Sequence, residues 1–162
     1  MLGALGPMVA VLSMRTEVLR GLASQFSWST RQQVRGACGA VAGEHWKDKP
    51  EDEDFPAAES YLSLLVGAES AAKLAKALRK QRSLKHYAAK DILRAAGLAM
   101  LGPEDPEVVA DLKKVKAGDR LSPVLLVQGV PLWVADGYHR ICASYYLDEK
   151  TEVPCRIVDR AP

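Results

Sequence analysis

Apolar positions along this chain recur in two rhythms, one helical and one alternating or continuous, and the changes between them mark its elements. From Ala57 the rhythm is helical: Tyr61, Leu64 and Leu65 share a face until Gly67 interrupts it. Ser70 to Gln81 predicts a second helix with Ala71, Leu74, Ala75 and Leu78 on one side. Leu84 to Ala96 predicts a third, burying Ala88, Ala89, Ile92, Leu93 and Ala96, with Gly97 as its stop. After the break Gly102-Pro103-Glu104-Asp105-Pro106, Asp105 is placed to cap a helix that has Pro106 in its first turn. That helix turns Val108, Val109, Leu112 and Val115 inward and ends at Gly118.

The rhythm then changes. Pro123 to Gln128 contains the continuous apolar run Val124-Leu125-Leu126-Val127, which predicts a strand covered on both faces. Gly129 to Pro131 turns the chain into a second strand, Leu132-Trp133-Val134-Ala135. Tyr138, Ile141, Cys142 and Tyr145 then fall on one face of a further helix. A polar loop over Glu149 to Glu152 precedes a last strand in which Val153, Cys155 and Ile157 alternate inward, and Pro154 predicts a strand start or an edge. This series predicts an α+β class with a small mixed sheet and packed helices, preceded by a helical N-terminal region.

Residues 1–46 are less regular, because glycines interrupt every apolar run; Met14 to Phe26 predicts a short amphipathic helix and Arg31 to Ala42 a weaker one. In Lys47 to Asp54 the acids Glu51, Asp52, Glu53 and Asp54 are consecutive, so they point in different directions and repel. A solvated linker is favoured there over a metal site. The divisions read as 1–55, an N-terminal segment and acidic linker; 56–101, a basic helical region; and 102–162, a module that joins it, with 56–162 forming one compact domain.

Composition narrows the classes. Hydrophobic residues make up 48% of the 162, enough for a globular core. No run approaches the length of a membrane span, and Met1 to Leu12 lacks the basic start of a secretory signal. Cys38, Cys142 and Cys155 have no metal-ligand spacing, so Cys142 and Cys155 are read as small buried hydrophobes in a reducing, cytoplasmic setting. Charge is uneven: Lys73, Lys76, Arg79, Lys80, Arg82, Lys85, Lys90 and Arg94 are set against one acid, Asp91. A solvated basic face is the favoured reading. Contact with a DNA backbone through Lys76, Arg79, Lys80, Arg82 and Lys85 is the sharper one.

The stretch that carries candidate chemistry is Asp136-Gly137-Tyr138-His139-Arg140, at the junction of a strand and a helix. A cation in the first turn of a helix is unfavourable by about 0.3–1 kcal/mol when exposed. An anion bound there reverses the sign, meeting free N–H groups, the helix dipole and the guanidinium together. Phosphate binding by Gly137, Tyr138, His139 and Arg140, with Ser144 one turn further on, is the expectation. Asp136 has two competing roles, as a magnesium ligand or catalytic base and as the cap of the helix.

This motif resembles the signature of the ParB/sulfiredoxin superfamily. Gly137, His139 and Arg140 match the Gly-Cys-His-Arg of sulfiredoxins, and Asp136 matches the Asp-Gly-His-His-Arg of free-serine kinases of that fold. The likeness spans about residues 105–158 and includes Glu152-Val153-Pro154, similar to the last strand of partition proteins. Tyr138 stands where sulfiredoxins place their reactive cysteine, so that activity is not expected. Glu107 or Val108 stands where they place a nucleotide-binding lysine; Lys113, Lys114 and Lys116 are nearby substitutes. Partition proteins carry a helix-turn-helix domain after this module, so sequence-specific partition activity is not expected from residues that stop at Pro162.

The resemblance implies a nucleotide-binding or switch module using ATP or CTP with Mg²⁺. Two alternatives stay open: an ATP-dependent phosphotransferase acting on a small molecule, and a scaffold that contacts DNA through its basic helices. Homodimerisation is also left open; a membrane partner is not expected.

Overall fold

The computed structural model describes residues 45–160. The chain enters at Trp46, which is buried and bridged to Leu121, with backbone bonds from Lys47 N–H to Leu121 and from Leu121 N–H to His45. Helices α1 (Asp54–Val66) and α2 (Ala68–Lys80) follow, hinged at Gly67, whose φ of 78° favours glycine. Next come strand β1 (Lys85–Ala88), helix α3 (Ala89–Ala96) and helix α4 (Pro106–Ala117). The remaining elements are β2 (Val124–Gln128), β3 (Trp133–Asp136), α5 (Tyr138–Leu147) and β4 (Glu152–Asp159).

The four strands form one mixed sheet in the order β1-β4-β2-β3, with β2 and β4 parallel and the outer pairings antiparallel. Helices cover both faces. Leu125, Val127 and Ala135 pack against Phe55, Leu62, Leu74 and Leu78 of α1 and α2. Val124, Leu126, Val134, Val153 and Cys155 pack against Ile92, Leu93, Val108, Val115, Ile141 and Cys142 of α3, α4 and α5. The apolar run 124–127 is therefore buried on both sides, as a central strand requires. The fold is α+β, and no helix among the described residues is long and apolar enough to cross a membrane.

Local signals placed both ends of α4 and the last turn of α3. Asp105 accepts from the N–H groups of Glu107 and Val108, Pro106 occupies the first turn, and Gly118 closes α4 in the left-handed region. Gly97 closes α3 in the same way. The third predicted helix is shorter than its periodicity suggested. Lys85 to Ala88 is extended, because β4 offers that segment a ladder partner and His86 and Tyr87 suit a pleated surface.

Pro154 lies in an interior strand rather than at an edge. Ala89 N–H bonds to Thr151 C=O, which sets the alternation of the β1–β4 ladder and puts Pro154, opposite His86, at a position that needs no N–H. On the other side β2 begins only at Val124, opposite Cys155. The proline thus sits where neither neighbour asks for a donor. Val153 to Arg156 are all buried, so β4 is covered on both faces over that stretch instead of alternating.

The acidic run also differs from a wholly solvated linker. Glu51, Asp52 and Glu53 are exposed, but Asp54 is buried as the first residue of α1. The helices predicted over Met14 to Phe26 and Arg31 to Ala42 lie outside the described residues, as does Cys38.

Candidate functional site

The strand-to-helix junction is compact. Gly137 has φ 94°, and a Cβ there would sit 2.6 Å from Val124 Cγ1 and 3.0 Å from Arg140 Nε. Glycine is thus required twice, for the backbone angle and for close packing on β2. Gly137 is the N-cap of α5 and offers no side-chain acceptor, and no side-chain hydrogen bond caps the helix. Asp136 does not take the capping role: its carboxylate accepts from Arg140.

Arg140 is held between two carboxylates. One terminal nitrogen donates to Asp136 and the other to Asp54 at 3.2 Å, with only 13% of the Arg140 side chain exposed. Asp54 is further fixed by the Ser122 hydroxyl and by Glu51 N–H at 2.9 Å. Ser122 Oγ in turn accepts from Glu51 N–H at 3.0 Å. Two carboxylates face one guanidinium here, so the charge of Arg140 is more than offset from within the protein.

Burial raises the Asp136 carboxyl above its ordinary value of 3.8; Arg140 offsets part of the rise and the Asp54 carboxylate adds to it. Between 3.8 and that raised value, the folded chain holds a proton that the unfolded chain has released. The stability from this group is full below 3.8 and is lost as pH rises through the folded value. Urea denaturation of wild type and Asp136→Asn from about pH 4 to about pH 7 reads this directly. The stability of wild type relative to the variant is expected to shrink as pH rises; a difference that widens would refute the direction.

Beside Arg140 opens a groove of about 320 Å³, lined by Lys47, Glu51, Asp111, Lys114, Asp119, Arg120, Leu121, Ser122 and Arg140. Lys47 pairs with Glu51, and Lys114 pairs at 3.0 Å with Asp111, whose own side chain is buried. The Lys47 side chain is 40% exposed and that of Lys114 56%, so these pairs are weak, about 0–1 kcal/mol each, and can exchange for a ligand. Among the described residues no group of three or more His, Cys, Asp or Glu is arranged to hold a metal.

The other predicted residues are more scattered. Tyr138 packs against the core and donates its hydroxyl to Ala99 C=O, while His139 lies with its ring centroid 5.7 Å from that of Tyr138. Ser144 is buried, and its hydroxyl donates back to Arg140 C=O at 2.7 Å within the helix. Lys76, Lys80, Arg82 and Lys85 are exposed. Arg79 bonds Asp52 at 3.0 Å and its guanidinium lies 4.5 Å from the Phe55 ring centroid.

Sequence reasoning did not assign roles to Asp54, Ser122, Lys47, Arg120 or Asp111. Asp111 had a legible signal: it falls on the same helical stripe as Val108, Leu112 and Val115, where an acid is out of place. Asp54, the last acid before the apolar Phe55, had a fainter one. Nothing local marks the others.

The fold and site together describe an α+β domain with a mixed-charge groove beside the start of a central helix. No family model, curated protein or solved structure matches this chain.

Proposed function

We propose that this chain is a phosphate-binding module of ParB/sulfiredoxin type that takes a nucleotide, ATP or CTP with Mg²⁺. The phosphoryl oxygens sit in the groove beside the first turn of α5. The supporting observation is the convergence there of four cations from separate parts of the chain: Lys47, Lys114, Arg120 and Arg140. The volume lies at the lower end of ordinary ligand sites, about 300–1,000 Å³.

The division of labour differs from that of an unpaired guanidinium at a helix start. Arg140 is positioned by Asp54 and Asp136 and forms part of the floor. Lys114 and Arg120 supply the countercharge, and Lys47 closes the side formed by the entering chain. Binding or switching is favoured over phosphotransfer, because both carboxylates nearest Arg140 are already committed to it.

Calorimetric titration with ATP and with CTP, with and without Mg²⁺, tests the reading. Arg120→Ala and Lys114→Ala are each expected to weaken binding about tenfold, the loss of one charge-assisted contact. Their thermal midpoints should stay near wild type, since both side chains are exposed. Unchanged affinity in both variants rejects the groove. Acceptor-dependent ATP consumption across a panel of small hydroxyl compounds would instead favour the phosphotransferase.

A further inference from the structure

The segment expected to be helical at Lys85 to Ala88 is the outer strand of the sheet. Among the described residues β1 pairs only with β4, in the register Lys85 with Cys155 through Ala88 with Glu152. The bond from Ala89 N–H to Thr151 C=O, at 3.0 Å, sets the alternation of that ladder. Lys85 and Tyr87 therefore turn their backbone groups toward β4, and His86 and Ala88 turn theirs outward. Lys85, His86 and Tyr87 are exposed and Ala88 half-buried, so among the described residues the N–H and C=O of His86 and the N–H of Ala88 form the accessible edge, while the Ala88 C=O, at the N-cap, belongs to α3.

Basic side chains flank the start of that row: Arg82 comes from the connection and Lys85 from the strand itself, with Lys80 two residues before Arg82 at the end of α2. Asp91, in the first turn of α3, lies beyond its far end. Beneath them Arg156 is buried on β4, donating to the C=O groups of Leu78 and Arg79 at 3.3 and 3.2 Å. The Arg156 Nε has no hydrogen-bond partner among the described residues. Burial lowers the pKa of this arginine, and the adjacent charge of Arg82 lowers it further. Glu152, opposite Ala88, is the acid in register with the strand.

We propose that the outer edge of β1 takes up an acidic segment of a partner protein in extended conformation, which joins the sheet as a fifth strand. Main-chain bonds to His86 and Ala88 would give the pairing, and Lys80, Arg82 and Lys85 would select acidic side chains. Lysine on an edge strand ordinarily guards against self-association. The same charge does both jobs: a second copy of β1 would bring like charges opposite one another, whereas an acidic strand relieves the repulsion. A nucleic-acid backbone would engage the basic side chains but has no ladder to offer the amides.

The test uses the full chain and a synthetic peptide of about eight residues alternating Glu and Val, with fluorescence titration and amide hydrogen exchange read by NMR. Binding is expected to slow exchange at the His86 and Ala88 amides at least about tenfold and to weaken as salt rises. The double variant Arg82→Glu, Lys85→Glu should bind at least about tenfold more weakly with an unchanged thermal midpoint. A peptide with proline at alternate positions should not bind. Failure of the Glu–Val peptide to bind, or binding that leaves those two amides exchanging freely, overturns the proposal. A DNA duplex that binds through Arg82 and Lys85 more tightly than the peptide, leaving both amides unprotected, also overturns it and assigns the surface to nucleic acid.

Discussion

Asp54→Ala is expected to lower the unfolding free energy by about 3 kcal/mol, within the range of about 3–5 kcal/mol for breaking a buried ion pair from one side. Asp54 is buried and receives three donors: Arg140, the Ser122 hydroxyl and Glu51 N–H. Truncation leaves the Ser122 hydroxyl without its acceptor, and leaves Arg140 and Glu51 N–H with one partner each, Asp136 and Ser122 Oγ. One effect works the other way. Asp54 raises the pKa of Asp136, so its loss leaves Asp136 and Arg140 as a balanced pair. That places the expected cost at the lower end of the range. Asp54→Asn retains an acceptor for Ser122 and Glu51 and should cost about half as much, the difference reporting the charge alone. Urea unfolding of the three proteins measures both values. A loss below about 1 kcal/mol for the alanine variant would mean that the triad contributes little.

The second large effect is expected at Gly137. Alanine there must adopt φ 94° and place its methyl 2.6 Å from Val124 Cγ1, which belongs to the core of β2. The left-handed backbone costs about 1–2 kcal/mol and overpacking a further 1–3 kcal/mol, for a combined loss of about 2–5 kcal/mol. The same methyl would press on Arg140 Nε at 3.0 Å, so the guanidinium must shift from Asp54 and Asp136. Loss of stability should therefore appear together with weaker binding of the proposed nucleotide. Val124→Ala in the Gly137→Ala background separates the two contributions. Opening space in β2 should recover part of the packing term and none of the backbone term. A crystal structure of the single variant with Arg140 unmoved would show that the junction has more room than its backbone implies.

How much of this was written locally varies from residue to residue. Asp105, Pro106 and Gly118 bound α4 through interactions confined to a few neighbours, so the ends of that helix could be read directly. The run Val124 to Val127 announced a strand covered on both faces by its lack of polar alternation. Gly137 marked the strand–helix junction. Lys85 to Ala88 misled the helical periodicity, because the decisive partners on β4 lie 64 to 70 residues away and pair only after the chain has folded back. Asp54 lies 86 residues from Arg140, and Ser122 lies 68 from Asp54. No local rhythm encodes such a meeting.

By itself, then, the amino-acid order determined the helices that carry their own stops, the buried central strand, and the glycine turn that presents Arg140. These depend on backbone angles and on which face of an element is apolar, and both are properties of neighbouring residues. Tertiary structure alone decided the neighbours of Arg140, the cations that line the groove with it, and the strand that was left at the sheet edge. Charge balance and strand pairing depend on distances through space, and those exist only once the separated segments have been packed together.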